Sequence, residues 1–235
     1  MLLGNKLLFK GASTPDAAGQ IFLASSTFLV PDGVTTVCIL GVERGGVASG
    51  TGTGQPGGDV AWVNSLAVTA GETLTVNITS TVSSVLRSGT TIFAASGTGA
   101  TTHYTGGSGG AARLVSSPYG DVTNGGGGGG SGTYTSNGSN GATAPSTAPT
   151  YSSTNDYYFG HAGADGSGIT LFGISGGDGG YGTFGGGEHG CYNRIISTGA
   201  CYTPCWGCTG ASGPGAIRII WGADRAFPDT NVGPT

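Results

Sequence analysis

Glycine spacing constrains this chain more than any other feature of its sequence. Of the 51 glycines in 235 residues, 15 fall in residues 1–97 and 34 in residues 98–215. The longest regular series has a glycine at every third position: Gly173, Gly176, Gly179, Gly182 and Gly185. The same spacing recurs in further sets: Gly126, Gly129, Gly132, Gly138 and Gly141; Gly160, Gly163 and Gly166; Gly106 and Gly109; Gly107 and Gly110.

Glycine loses more conformational entropy on ordering than any other residue, so a glycine-rich body needs a specific compensation. The left-handed polyproline-II helix has three residues per turn, so a glycine at every third position lines one edge of it. Without a Cβ on that edge, neighbouring rods can approach and exchange backbone hydrogen bonds. The spacing is interrupted, unlike that of collagen, and it predicts several short rods packed side by side within one chain.

The remainder of the chain has the pattern of strands. Short β-branched or alternating apolar runs predict strands: 28–30, 34–42, 60–63, 74–78 and 90–93. The run 34–42 is typical of a strand covered on both faces. Turns are expected at Pro31-Asp32-Gly33 and at Ala70-Gly71-Glu72.

A last apolar run lies near the end of the chain, where Ile217, Ile219 and Trp221 share one face. One short strand is not stable alone, so this run must pair with the sheet more than a hundred residues earlier. No helix is expected. The predicted fold is all-β and partly irregular: a small antiparallel β-sandwich closed by the C-terminal strand, with a glycine-rich polyproline-II (polyglycine-II) bundle inserted.

This interpretation divides the chain into four parts. An attachment segment (1–19) is followed by the β-sandwich part (20–97), the glycine-rich body with recognition loops (98–215), and the closing strand and tail (216–235). Only 8 lysines and arginines occur, and they are scattered, so nucleic acid is not an expected partner. No apolar run approaches the roughly 20 residues of a membrane span, so no membrane insertion and no secretory leader are expected.

Aromatic residues interrupt the glycine-rich body at three places, within 134–159, 181–192 and 201–208. Aromatics mixed with Ser, Gly and Asn have the composition of recognition surfaces. The candidate recognition residues are: Tyr134, Tyr151, Tyr157, Tyr158, Phe159, Tyr181, Phe184, His189, Tyr192 and Trp206. The alternative is that these aromatics fill gaps between rods, and the sequence leaves both interpretations open.

Four cysteines fall within 18 residues beside His189: Cys191, Cys201, Cys205 and Cys208. Disulfides that staple a loop, a zinc site built on Cys205-x-x-Cys208, and free thiols are all compatible with this spacing. Cys38 lies in a predicted core strand and is expected to act as a small buried apolar residue.

No motif predicts catalysis, so the chain is not expected to be an enzyme. The segment from Gly52 to Gly57 matches G-x-G-x-x-G, but a strand follows it where a dinucleotide fold requires a helix. The three histidines, His103, His161 and His189, stand in glycine-rich surroundings without a nucleophile elbow. No cofactor is expected.

Three stretches carry a resemblance to a known family: TFLVPDGVTTVCILGV (27–42), GGDVAWVNSLAVTAGETLTVNI (57–78) and GAIRIIWGADRAFPDT (215–230). With the glycine-rich body between them, they resemble the glycine-rich tail proteins of tailed bacteriophages. In that group, the tip adhesins of T-even-like long tail fibres carry packed polyglycine-II helices with variable loops that touch the host receptor. The loops within 134–159, 181–192 and 201–208 are the matching positions. The cysteine cluster departs from that pattern.

The resemblance implies a virion protein of the tail or tail fibre, assembled in the host cytoplasm. Its implied partners are other tail or fibre proteins and a host cell-surface protein or saccharide. A purely structural tail or baseplate component of the same fold is the alternative. A third hypothesis, an ice-binding polyproline-II protein, needs a face of uniform short side chains, and the bulky insertions argue against it.

Overall fold

A computed structural model describes residues 18–47, 52–117, 120–147, 150–152, 157–159, 192–196, 201–206, 212–223 and 225–228. In this part of the chain all regular elements are strands, as the sequence predicts. They are β1 (Ala18–Phe22), β2 (Ser26–Leu29), β3 (Thr36–Val42), β4 (Val60–Ala67), β5 (Thr73–Ile78), β6 (Ser83–Arg87), β7 (Thr90–Ala94), β8 (Thr102–Tyr104), β9 (Arg113–Ser117), β10 (Gly120–Asn124), β11 (Thr150–Ser152), β12 (Tyr157–Phe159), β13 (Tyr192–Ile196), β14 (Cys201–Trp206) and β15 (Ala216–Trp221).

The strands form four antiparallel groups in the described residues. A five-stranded sheet has the order β1-β15-β3-β4-β8, and a four-stranded sheet has the order β2-β5-β6-β7. Strands β9 and β10 form a hairpin, and a second four-stranded sheet has the order β11-β12-β13-β14. The antiparallel all-β class predicted from the sequence is therefore confirmed.

Strand β3 lies at the centre of the five-stranded sheet and is buried on both faces, as its apolar run predicts. Val37 and Ile39 belong to one buried cluster, and Cys38, Leu40 and Val42 belong to a second cluster on the opposite face. The first cluster includes residues of the four-stranded sheet β2-β5-β6-β7 as well. The buried cluster that these two sheets share comes from the alternation of apolar side chains along each strand.

The C-terminal strand is found where the sequence predicts it. Strand β15 pairs with β3, with Ile219 opposite Ile39, and with β1 on its other side, where Phe22 lies opposite Ile217. Its Ile217 and Ile219 are fully buried, and Trp221 packs against the same cluster. The strand therefore lies between β1 and β3 and places segments far apart in the chain within one sheet.

Both expected turns are present. Gly33 has a φ of 78° and Gly71 a φ of 77°, a region of backbone space that glycine occupies without strain. The backbone nitrogen of Gly71 donates to the carbonyl oxygen of Val30 over 2.9 Å, which ties the second turn to the first.

The structure differs from the sequence interpretation between residues 98 and 215. Besides glycine-rich segments, this region contains strands β8 to β14. Several of these strands lie where recognition loops were expected, namely within 134–159 and at 201–206. At those residues the chain forms strands rather than irregular loops, because Tyr, Phe, Ile and Trp favour the pleated conformation once a partner strand is beside them, and their role in recognition stays a prediction.

Candidate functional site

Four glycine-rich segments, 52–58, 105–111, 126–132 and 137–144, lie side by side without strand or helix geometry. We call them the glycine block. Backbone hydrogen bonds of 2.7–3.0 Å join them at three-residue intervals. Each bond runs from the nitrogen of the first residue named to the carbonyl oxygen of the second: Gly54 to Gly110 and Gly57 to Gly107; Gly107 to Gly130 and Gly110 to Gly127; Gly126 to Gly52, Gly129 to Gln55 and Gly132 to Gly58; Gly127 to Ala142 and Gly130 to Ser139; Gly138 to Thr105, Gly141 to Ser108 and Ala144 to Ala111.

Segments 105–111 and 126–132 are both central to the block, because each of them bonds to the other three segments. Every residue from 125 to 132 is buried. Segments 52–58 and 126–132 run parallel, whereas segment 105–111 runs antiparallel to both, as the order of the bonded residues requires.

The close approach of these segments requires glycine. A Cβ added at any of ten glycines would overlap a carbonyl oxygen of a neighbouring segment: Gly54, Gly57, Gly106, Gly107, Gly109, Gly110, Gly126, Gly129, Gly138 and Gly141. The period-three glycines recognised at 106–110 and 126–141 are therefore the positions at which the segments touch.

Two asparagines three residues apart extend this pattern with their side chains. Asn137 Oδ1 accepts a hydrogen bond from the backbone nitrogen of Thr105 over 3.0 Å, and Asn140 Oδ1 accepts one from Ser108 over 2.9 Å. The glycine after each asparagine donates back to the carbonyl oxygen of the same Thr or Ser. Each asparagine thus closes a pair of hydrogen bonds between segments 137–144 and 105–111.

One end of the block is fastened to the five-stranded sheet through Asp59. Its Oδ1 accepts a hydrogen bond from the backbone nitrogen of Gly106, and its Oδ2 lies 2.8 Å from His103 Nε2. Its backbone carbonyl oxygen accepts a hydrogen bond from the backbone nitrogen of Glu43 over 2.8 Å. Asp59 therefore links the segment after β3, strand β8 and the start of segment 105–111.

The other end of the block leads to the hairpin β9–β10. Asn124 is fully buried at the end of β10, and its Nδ2 donates to the carbonyl oxygens of Pro145 and Thr147 over 2.8 and 3.2 Å. Strand β10 lies against β13. The hairpin therefore connects the glycine block to the sheet β11-β12-β13-β14.

Six of the ten candidate recognition residues lie on this second four-stranded sheet, which we call the aromatic sheet. Tyr151 on β11 is directly opposite Tyr158 on β12, and Tyr192 on β13 is opposite Trp206 on β14. Tyr157 and Phe159 flank Tyr158 on β12 and are opposite Ile196 and Arg194. The sequence predicted these aromatics as candidates, but their assembly on one sheet depends on strand pairing.

Tyr134 is placed differently from the other candidates. It is half-buried, and its ring centroid lies 6.1 Å from that of Trp62, which is itself 5.7 Å from Tyr104. Burial raises the pKa of the Tyr134 hydroxyl, and nearby Arg218 partly offsets this. For Tyr134 the structure therefore favours the alternative of packing between the block and the sheet.

Arg218 on β15 is buried beside this ring cluster, with its guanidinium carbon 5.8 Å from the centroid of Phe227. Burial lowers the pKa of Arg218 to about 10, Tyr134 acts against that shift, and Arg225 adds to it. The cluster around Trp62 and Tyr134 therefore combines tilted aromatic rings with a desolvated cation.

Tyr181, Phe184, His189, Cys191 and Cys208 lie outside the described residues, as do the glycines from 160 to 185. Cys201 and Cys205 lie on β14. The disulfide, zinc and free-thiol interpretations of the cysteine cluster therefore stay predictions. Cys38 is buried as expected, and its Sγ donates to the carbonyl oxygen of Arg225 over 3.1 Å.

Sequence reasoning missed two parts of this arrangement. The sequence of segment 52–58 suggested only a nucleotide-binding motif within the β-sandwich part. In the structure this segment forms part of the glycine block and leads into strand β4. The Glu43–Asp59–His103 group was not recognised, because its members are far apart in the chain. The Asn137 and Asn140 spacing was a signal that could have been found, since it follows the period of the adjoining glycines.

Within the described residues, no three His, Cys, Asp or Glu side chains are grouped so that they could hold a metal ion. That same part of the chain contains no helix with the length and apolarity of a membrane span. No model of a known protein family matches the chain, and neither does any curated protein.

Proposed function

We propose that this chain is a tail-associated protein of a bacteriophage, and that it is an adhesin that contacts the host cell surface through the aromatic sheet and its neighbouring loops. The resemblance of 27–42, 57–78 and 215–230 to glycine-rich tail proteins is one support. Those three stretches cover most or all of strands β2 to β5 and β15. These strands contribute to the buried cluster shared by the five-stranded sheet and the sheet β2-β5-β6-β7, which we call the two larger sheets.

A polyglycine-II arrangement of the glycine block is part of the proposal. Hydrogen bonds at three-residue intervals, with a glycine on at least one side of all of them except the Ala144–Ala111 bond, are what three residues per turn requires. Seven or eight residues at about 3.1 Å each would make the rods about 22 to 25 Å long. In this proposal the two larger sheets form a sandwich, supported by the buried cluster that they share.

The observation that carries the adhesive role is the gathering of six candidate aromatics on one small sheet at the far end of the glycine block. A block whose backbone groups bond to one another holds that sheet in one orientation, so little entropy is lost on contact with a receptor. Aromatic faces suit saccharide rings or a loop of an outer-membrane protein. Many copies on one particle would raise a weak single-site affinity by avidity.

The test is competition for adsorption. Purified protein is added, before infection, to bacteria on which a phage carrying this chain grows, and adsorbed particles are counted. The double variant Tyr151→Ser/Tyr158→Ser is compared with Leu23→Ser/Leu29→Ser, which changes two exposed residues on or just before β2, outside the aromatic sheet. We expect the wild type and the leucine variant to block adsorption, and the tyrosine variant to block it at least tenfold less well.

Failure of the wild-type protein to block adsorption at saturating dose would contradict the adhesive role. The structural alternative is then tested on the particle itself. Gold-labelled antibody bound at an internal joint of the tail, rather than at a fibre tip, would favour a purely structural tail or baseplate component.

A further inference from the structure

An open cavity of about 540 Å³ lies where the two larger sheets meet the glycine block. Its walls come from three places: the segment 43–47 after β3, residues 56–59 with Gly106 of the block, and the turn at Ser80 and Thr81 between β5 and β6. A change of charge in this cavity therefore acts on both sheets and on the block at the same time.

Glu43 and Asp59 bring two carboxyl groups to the cavity. Asp59 has fixed neighbours, since its two side-chain oxygens contact His103 and the backbone nitrogen of Gly106. The backbone carbonyl oxygen of Asp59 also accepts a hydrogen bond from the backbone nitrogen of Glu43. Arg44, the other charged residue of the wall, donates from Nε to Ser212 Oγ over 2.9 Å, and the turn at Ser80 and Thr81 carries no charge.

Glu43 is half-buried in this environment. Burial and the nearby Asp59 carboxylate raise the pKa of Glu43 from 4.5 to about 7, whereas His103 acts in the opposite direction. The carboxyl group therefore changes charge near neutral pH, where a solvated glutamate is ionised.

We propose that Glu43, Asp59 and His103 form a proton-controlled latch between the five-stranded sheet and the glycine block, which is tight when Glu43 is protonated and loosens when it ionises. The protonated form leaves Asp59 as the single carboxylate, balanced by His103 and the Gly106 amide. The ionised form places two carboxylates in one half-buried wall, so their repulsion acts on the contacts that Asp59 makes to the block. This inference does not depend on the adhesive role.

The sign of the pH effect follows from the raised pKa. Between pH 4.5 and about 7 the folded state retains a proton on Glu43 that the unfolded state has released. This contribution to stability is therefore complete below that window and is lost as the pH rises through it. Other carboxyl groups titrate in the same range, so the difference between the wild type and Glu43→Gln isolates the effect.

The experiment follows the backbone amide signals of Glu43, Gly106 and Gly57 by NMR between pH 5 and 9. The first two bond to Asp59, and the third bonds to Gly107 inside the block. In the wild type we expect the chemical shifts of all three amides to change with pH around one midpoint near pH 7. In Glu43→Gln this transition should be absent. His103→Asn should raise the midpoint and Asp59→Asn should lower it, because each removes one of the influences on Glu43. Asp32→Asn removes an exposed carboxyl group that does not line the cavity, and it should leave the midpoint unchanged.

Three results would overturn the proposal. A midpoint that persists in Glu43→Gln, or that disappears in His103→Asn, would assign the titration to another group. A midpoint at Glu43 without any shift at Gly57 would show that the charge does not reach the block. If Asp59→Asn fails to fold, the loss of the midpoint in Glu43→Gln and its rise in His103→Asn still test the proposal.

Discussion

The backbone nitrogen of Gly129 donates a hydrogen bond of 2.7 Å to the carbonyl oxygen of Gln55. The other side of Gly129 rests against the carbonyl oxygen of Gly107, with no room for a Cβ. One residue thus touches two segments that are distant in the chain, and it can do so only because it has no side chain. The same relationship recurs at every third residue of the block.

Gly129→Ala is therefore expected to destabilise the protein by about 3 kcal/mol or more, because backbone rather than a flexible side chain would have to move. Gly89→Ala is the matched control, since a Cβ there meets no atom of the described residues within 4 Å and only the φ of 81° is unfavourable. That control should cost about 1–2 kcal/mol. Urea denaturation measures both changes, and equal losses would contradict the packing argument.

The asparagine contacts predict a smaller effect. Asn140→Ala removes the acceptor of the Ser108 backbone nitrogen and should cost about 1 kcal/mol. Asn140→Asp keeps an oxygen at that position and should retain most of the stability. Hydrogen exchange at the Ser108 amide gives the local measurement: it should accelerate in the alanine variant alone, and equal exchange in all three proteins would refute the contact.

Ser131 predicts a change of the opposite sign. Its hydroxyl is fully buried in segment 126–132 and has no hydrogen-bond partner among the described residues. Ser131→Ala removes an unsatisfied group and should raise stability by about 1 kcal/mol. Ser212→Ala, which removes the partner of Arg44 Nε, should lower it. Thermal denaturation of the two variants checks the signs, and a loss of stability in Ser131→Ala would mean that its hydroxyl has a partner in solution.

Tyr134 tests the difference between packing and recognition. Because its ring lies against Trp62, Tyr134→Ala should destabilise the fold by about 2–3 kcal/mol, whereas Tyr134→Phe retains the ring and should cost less than 1 kcal/mol. Cell binding by the phenylalanine variant should equal that of the wild type. A folded Tyr134→Phe protein that no longer binds cells would restore Tyr134 to the recognition surface.

The strands of the two larger sheets were largely predictable from local pattern. Alternation at Leu74 and Val76 is sufficient to identify β5, and the apolar run around Ile39 is sufficient to identify a strand covered on both faces. Strands β1, β6 and β8 were missed because they contain few strongly apolar residues. Each of them pairs with a neighbouring strand: β1 with β15, β6 with β5 and β7, and β8 with β4.

The glycine period by itself determined where chain segments can meet closely, because only a residue without a Cβ allows two backbones into hydrogen-bonding distance. The sequence likewise determined the all-β class and the final strand through its apolar alternation. Which segments meet was decided by the tertiary structure alone. The pairing of Gly57 with Gly107, of Tyr157 with Ile196, and of Asp59 with His103 depends on chain closure over long distances, and residue spacing within one segment carries no information about a partner elsewhere.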